Sequence, residues 1–289
     1  MLPKFEYYRP SSVDEAVDLL SRLWPEARVI AGGTDLVVKM RAGLIKPKYI
    51  VDITRLEELK FIRDDGDVIR IGAATLLSHI EESEVVKEGV PVLHDAVKKM
   101  ASWHVKNLAT IGGNLCNASP AADTAPPLIV HEAKLKIRGP GGEREVLVEE
   151  FFTGPGETVL KQGELLAEVI VPKKKPGQGA SFQKLMVREG ALAVVSAAAL
   201  VELSGGVISK VRVALGAVAP TPVRARHVES VLEGSEPTPE VLREASREIV
   251  RDINPITDVR GSREYRIDMS VVLTRRALEE AISRAGAGE

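Results

Sequence analysis

Apolar residues recur at helical spacing near the start of the chain. Ala16, Leu19, Leu20 and Leu23 follow Ser12-Val13-Asp14-Glu15, which reads as a capping box, and this predicts a short amphipathic helix ending at Trp24-Pro25. Residues 28–31 and 49–53 are short β-branched runs that read as strands. Together they predict a small αβ unit over residues 1–54. From Leu56 the pattern changes, and residues 60–62 and 68–72 flank Asp64-Asp65-Gly66-Asp67, predicting a hairpin. Helices are predicted over 76–83 and 90–100, the second with Val92, Leu93, Ala96, Val97 and Met100 on one face. Ser119-Pro120 reads as an N-cap and N1 proline opening a segment that runs towards His131. A strand–turn–strand over 134–148 and a strand over 165–172 complete this part.

Residues 172–179 carry three lysines, two glycines and two prolines, and the domain boundary is expected there. Beyond it, 192–203 and 208–218 flank Ser204-Gly205-Gly206 as a long hairpin. In its second arm Val211, Val213 and Leu215 alternate with Arg212 and Ala214. Thr238-Pro239 caps a helix with Val241, Leu242, Ala245 and Ile249 on its face, and 270–285 is a last helix. Sheet followed by helices makes the second domain α+β. The expected division is 1–175, with subdomains 1–54 and 55–175, then 176–289.

Composition narrows the class. At 289 residues with 44% apolar and 28% charged residues, the chain has a sizeable core and is neither disordered nor a disulfide scaffold. The formal charge is −2 and the only basic triplet, Lys173-Lys174-Lys175, lies between prolines, so nothing favours a nucleic-acid partner. No apolar run is long enough to span a membrane, the first residues lack the apolar core of a signal peptide, and there is one cysteine; cytoplasmic residence is expected.

The chemistry is concentrated in two segments that read as paired-glycine loops. Ala31-Gly32-Gly33-Thr34-Asp35 follows the first αβ strand, and Thr110-Ile111-Gly112-Gly113-Asn114 leads into Ser119-Pro120-Ala121-Ala122-Asp123. Glycine pairs let backbone N–H groups approach a ligand, most often phosphate, and two such segments suggest one diphosphate. Asp123 is placed to accept hydrogen bonds from ribose or adenine. Walker, Rossmann and nucleophile-elbow motifs are absent. The five histidines are scattered, and Cys116 alone holds no iron–sulfur cluster, so no metal site is expected. With no nucleophile–base constellation either, no catalytic side chain is assigned and a redox cofactor is the economical choice.

The segments 31–36, 107–115 and 119–123 resemble the FAD-binding subunit of the xanthine dehydrogenase and carbon monoxide dehydrogenase family of molybdenum hydroxylases. Leu215-Gly216-Ala217-Val218-Ala219-Pro220-Thr221-Pro222 and Arg263-Glu264-Tyr265-Arg266 are similar to that family's C-terminal flavoprotein domain. The resemblance implies a two-part FAD-binding domain of vanillyl-alcohol-oxidase type followed by a C-terminal α+β domain. It implies a diphosphate on the amides of residues 32–35 and 110–114, Asp123 at the adenosine side, and Leu165 or Leu166 with Lys184 near the isoalloxazine. Gln183 is the alternative to Lys184, and the acidic residue that many relatives carry near Ala191 is missing. It further implies a large molybdopterin-binding subunit and a small 2Fe–2S subunit as partners in a dimer of heterotrimers, with electrons passing from the clusters through FAD to an external acceptor. A stand-alone flavin oxidoreductase and a non-catalytic nucleotide-binding scaffold are the competing readings.

Overall fold

The computed structural model describes residues 2–286. Its first unit runs β1 (Glu6–Tyr8), α1 (Val13–Leu23), β2 (Ala27–Ile30), α2 (Leu36–Arg41) and β3 (Tyr49–Asp52), with the strands parallel in the order β1-β3-β2. Ser12 Oγ accepts from the Glu15 amide at 3.1 Å, but the Glu15 carboxylate reaches back to the amide of Ser11 at 2.7 Å, one residue before the predicted capping-box partner. The buried face of α1, including Ala16, Leu19 and Leu20, shares a core with Val51, Ile53, Leu165 and Ala167.

The second unit carries β4 (Ile62–Asp65), β5 (Val68–Gly72), α3 (Leu77–Glu82), α4 (Glu84–Gly89), α5 (Pro91–Lys98), α6 (Trp103–Lys106), α7 (Ile111–Cys116) and α8 (Ala125–Val130). It continues through β6 (Lys134–Gly139), β7 (Gly142–Leu147), α9 (Val148–Phe151), the β8 (Phe152–Gly154) and β9 (Glu157–Thr158) pair, and β10 (Leu165–Pro172). Its antiparallel sheet has the order β4-β5-β10-β6-β7, so the last strand in sequence fills the centre. That position explains why β10 is apolar almost throughout: Leu166, Val169 and Val171 face the main core while Leu165 and Ala167 face the core beneath α1.

The third unit is an antiparallel sheet of β11 (Gln178–Met186), β12 (Ala193–Ser204), β13 (Val207–Gly216) and β14 (Val223–Arg224) in sequential order, with α10 (Arg226–Leu232), α11 (Pro239–Arg247) and α12 (Arg263–Gly286). Its central strands also serve two cores. Ala198, Leu200 and Ala214 join the core of the second unit, whereas Ala197, Ala199, Val211, Val213 and Leu215 pack with α11 and α12.

Several expectations change. The 60–72 hairpin begins at Ile62, with Asp64 and Asp65 paired in β4, so its turn contracts to Gly66-Asp67; Gly66 takes φ +69° there. Ser119 and Pro120 do not open a helix: Ser119 Oγ accepts from the Ala121 amide at 3.2 Å, and α8 starts only after Thr124. Pro126 and Pro127 then occupy its first turn, where a missing N–H leaves no hydrogen bond unmade. The strand β11 is not legible in the pattern, because Gly179, Ser181, Gln183 and Lys184 interrupt its apolar residues. The last helix starts already at Arg263, since Arg266 is drawn inside by the carbonyl of Ala217 at 2.8 Å and the carboxylate of Asp258 at 2.7 Å.

His131 closes α8 and is buried; its Nδ1 donates to the Pro172 carbonyl at 2.8 Å, while Nε2 has no partner. Burial holds its pKa down to about 4. The unfolded chain therefore takes up a proton near pH 6.5 that the folded chain refuses until about pH 4, so stability falls as pH drops through this window, by at most ~3 kcal/mol. His131→Phe is expected to flatten the denaturation midpoint between pH 7 and pH 5, at some loss of stability at pH 7. An undiminished acid slope in that variant would refute the assignment.

Candidate functional site

The two paired-glycine segments meet at the wall of one cleft of about 600 Å³, within the usual range of cofactor sites. The meeting is a backbone contact. A Cβ built on Gly32 would lie 1.8 Å from the Leu108 carbonyl oxygen, so only glycine lets the first unit seat against the chain entering the second motif. Gly112 has the same role against Ala73, where a Cβ would lie 2.6 Å from the carbonyl oxygen. Gly33 is the one of the four with positive φ, at +70°.

Ala31, Gly32, Gly33, Thr34 and Asp35 all line the cleft. Among the described residues, the amides of 32–35 donate to no protein acceptor. The second motif differs from expectation. It is not a loop: Thr110 caps α7, its Oγ1 accepting from the Gly113 amide at 3.0 Å, and Gly112 and Gly113 are helical. The Ile111 and Gly112 amides donate to the carbonyls of Thr75 and Ala73, and the Asn114 amide donates to that of Thr110. The amides of 111–114 are therefore already committed to the protein. What this segment offers the cleft is side chains. Asn114 Oδ1 accepts from Thr124 Oγ1 at 2.6 Å, which turns its amide group into a free donor, and the Thr110 hydroxyl proton is likewise free. Thr110, Gly112, Gly113 and Asn114 line the cleft, whereas Ile111 points into the main core.

Asp123 lies on the cleft wall and is 3% exposed. Its Oδ2 accepts from Lys184 Nζ at 2.7 Å, and its Oδ1 is buried without a partner. Burial pushes this carboxyl up to about 6, with the Lys184 ammonium acting in the opposite sense. Asp123 and Lys184 are thus in direct contact at 2.7 Å, although the resemblance implies different ends of the cofactor for them. Lys184 is not itself on the cleft wall; it stands behind Asp123 and also donates to the Lys99 carbonyl at 3.1 Å. Gln183 faces the other way, towards Glu280 of α12 and Ser181, because successive residues of β11 alternate faces. Leu165 and Leu166 both line the cleft, beside a bulge in the pairing of β10 with β6.

Other groups on this wall escaped the sequence reading. Lys39, Asn117, Arg28 and Glu164 all line the cleft. The only available signal was position: Lys39 lies one helical turn after Asp35, and Asn117 one turn after Gly113. Glu164 is held by a bidentate pair with Arg144 at 2.7 Å. Cys116 also borders the cleft, and burial pushes its thiol up to about 12, so it is a neutral thiol rather than a nucleophile. Among the described residues no cluster of three or more His, Cys, Asp or Glu could hold a metal ion, and no helix is long and apolar enough to cross a membrane.

Free amides, a buried unpartnered carboxylate oxygen and a backbone cradle closed by Gly32 together fit a nucleotide cofactor with a diphosphate. Residues 3–174 match the family described as the FAD binding domain in molybdopterin dehydrogenase, and residues 180–281 the CO dehydrogenase flavoprotein C-terminal domain. The carbon monoxide dehydrogenase medium chain of Hydrogenophaga pseudoflava is 35% identical, over 98% of both chains. The xanthine dehydrogenase FAD-binding subunit of Escherichia coli O157:H7 is 33% identical over 97% of both. A solved structure of the Hydrogenophaga pseudoflava carbon monoxide dehydrogenase superposes with a TM-score of 0.96 at 36% identity, covering 98% of this chain and 99% of that one. The chain belongs to the family of FAD-binding medium subunits of molybdenum-containing dehydrogenases.

The buried pair gives a direct test. Lys184→Met leaves the Asp123 carboxylate alone in a dry site and is expected to cost about 3–5 kcal/mol at pH 8. Without the ammonium the carboxyl pKa rises further, so the cost shrinks as pH falls towards 5 and Asp123 takes up a proton. Denaturant midpoints across that range check the sign; a penalty independent of pH would contradict it.

Proposed function

We propose that this chain is the flavin-bearing electron-transfer subunit of a molybdenum hydroxylase. In this reading it takes electrons from the 2Fe–2S clusters of a small partner subunit and delivers them to an external acceptor, while substrate is oxidised at a molybdopterin in a large subunit. The assembly would be a dimer of heterotrimers in the cytoplasm, with residues 1–175 as the FAD-binding domain and 176–289 as the C-terminal flavoprotein domain. The observation that carries the reading is the set of unbonded amides at Gly32, Gly33, Thr34 and Asp35 on the wall of the cleft, which the side-chain donors of Thr110 and Asn114 also line.

FAD would supply the capacity to accept and release electrons singly or in pairs. The chain's own residues hold and orient it. The amides of 32–35 donate to the diphosphate, with Thr110 and Asn114 adding side-chain hydrogen bonds. Asp123, held by Lys184 at its Oδ2, would accept a hydrogen bond from the cofactor; the resemblance implies the adenosine side for Asp123 and the isoalloxazine for Lys184, and their contact brings the two assignments to one place. Leu165 and Leu166 provide apolar surface and exclude water. Among the described residues no nucleophile and no general base faces the cleft in a pairing suited to substrate chemistry, which favours electron transfer over a stand-alone oxidase.

Two glycine variants separate cofactor binding from folding. Gly113 is exposed to the cleft, and an added Cβ there meets only Thr110 Oγ1, at 2.9 Å. Gly113→Val is expected to lower the flavin absorbance per mole of purified chain while leaving the circular dichroism spectrum unchanged. Gly32→Ala is expected to unfold or loosen the chain instead, costing about 1–3 kcal/mol or more through backbone overlap with Leu108. Wild-type chain, purified with its partners or reconstituted with FAD, that lacks the two visible flavin bands would defeat the proposal.

A further inference from the structure

We infer that Lys39 is the charge-compensating residue for the cofactor's diphosphate, an assignment that rests on the FAD reading above. Five charged side chains line the cleft: Arg28, Asp35, Lys39, Asp123 and Glu164. Asp123 and Glu164 are neutralised by Lys184 and Arg144. Arg28 is exposed, and its Nη1 donates to the carbonyls of Pro25 at 2.8 Å and Ala27 at 2.7 Å. Among the described residues Arg28 and Asp35 are likewise in no salt bridge, but both are exposed, whereas Lys39 is half-buried. Among the described residues it has no carboxylate partner, and its Nζ donates to a neutral acceptor, Asn117 Oδ1, at 2.6 Å.

The position of this bond matters as much as the missing counter-charge. Lys39 projects from α2, directly after the unbonded amides of Gly32–Asp35, and the Lys39 amide donates to the Asp35 carbonyl. Asn117 ends α7, and its amide donates to the Gly113 carbonyl. The ammonium therefore links the elements that follow the two paired-glycine segments, at the wall of their shared cleft. A diphosphate on the free amides carries two negative charges, and backbone dipoles alone neutralise them only partly. A half-buried ammonium beside it forms charge-assisted hydrogen bonds, and salt screens such a contact less than one in open solvent. Asn117 holds the long side chain over the site in the absence of the anion and, being neutral, gives the cation up readily.

The test is equilibrium binding of FAD, ADP and riboflavin to the full-length chain stripped of flavin, followed by fluorescence or calorimetry, for wild type and for Lys39→Arg, Lys39→Gln and Lys39→Met. Lys39→Gln keeps a donor for Asn117 without the charge; Lys39→Arg keeps the charge. Loss of the ammonium is expected to weaken FAD and ADP roughly tenfold. It should leave riboflavin unchanged and flatten the dependence of FAD affinity on salt, and Lys39→Arg should retain most of the affinity. Equal FAD affinity in wild type and Lys39→Gln overturns the assignment while leaving the FAD reading intact. A parallel loss of riboflavin affinity also overturns it, because it indicates a collapsed cleft. Wild-type chain that binds ADP but not FAD defeats the FAD reading, and the ADP isotherms of the variants then decide the role of Lys39. Binding of neither defeats both.

Discussion

The site depends first on one steric fact: two peptide backbones touch where Gly32 meets Leu108, at a distance no side chain permits. That contact sets the first αβ unit against the helical second unit and leaves the cleft between them. It also decides which backbone groups are free. The segment 32–35 turns away from its strand before α2 begins, so its amides find no protein acceptor, whereas those of 111–114 are absorbed by the carbonyls of Ala73, Thr75 and Thr110 and by the Thr110 hydroxyl. One motif supplies backbone donors and the other supplies the floor and side-chain donors, although the two look alike as strings of residues.

The buried pair of Asp123 and Lys184 performs the corresponding task for the third unit. Asp123 belongs to the turn before α8, and Lys184 to β11, which also receives the Lys99 ammonium on the Phe182 carbonyl at 2.8 Å. Lys99 and Lys184 thus cross, each reaching into the other's segment. Such reciprocal bonds fix the sheet against the second unit with little tolerance for sliding, and they leave one Asp123 carboxylate oxygen buried without a partner among the described residues.

How much of this the sequence revealed follows from the range of the interactions involved. Helix α1 and the strands β2, β3 and β10 are written in local periodicity and capping, and they stand close to where the pattern puts them. The family resemblance carried the cofactor and the class of enzyme, which periodicity alone left open. The conformation at Thr110 to Asn114 was misread because glycine pairs are permissive: nothing local distinguishes a loop from a short helix whose amides are claimed by residues nearly forty positions earlier. The same holds for Ser119-Pro120, a sound helix start in isolation, and for Asp123 and Lys184, whose contact spans sixty-one positions. Lys39 was passed over because a lysine on a short helix is ordinary until its partner is seen to be uncharged.

The alternation along β12 and β13 has a consequence for how the molecule tolerates change. The apolar residues there are apolar for different reasons, since neighbours in sequence serve different cores: Ala198 and Leu200 one, Ala197 and Ala199 the other. The sheet is a party wall. Enlarging a side chain on one face pushes the backbone towards the opposite face, so the two cores cannot drift independently through substitution. The small residues of this strand are therefore a gauge of thickness, setting how far the main core stands from the layer of α11 and α12.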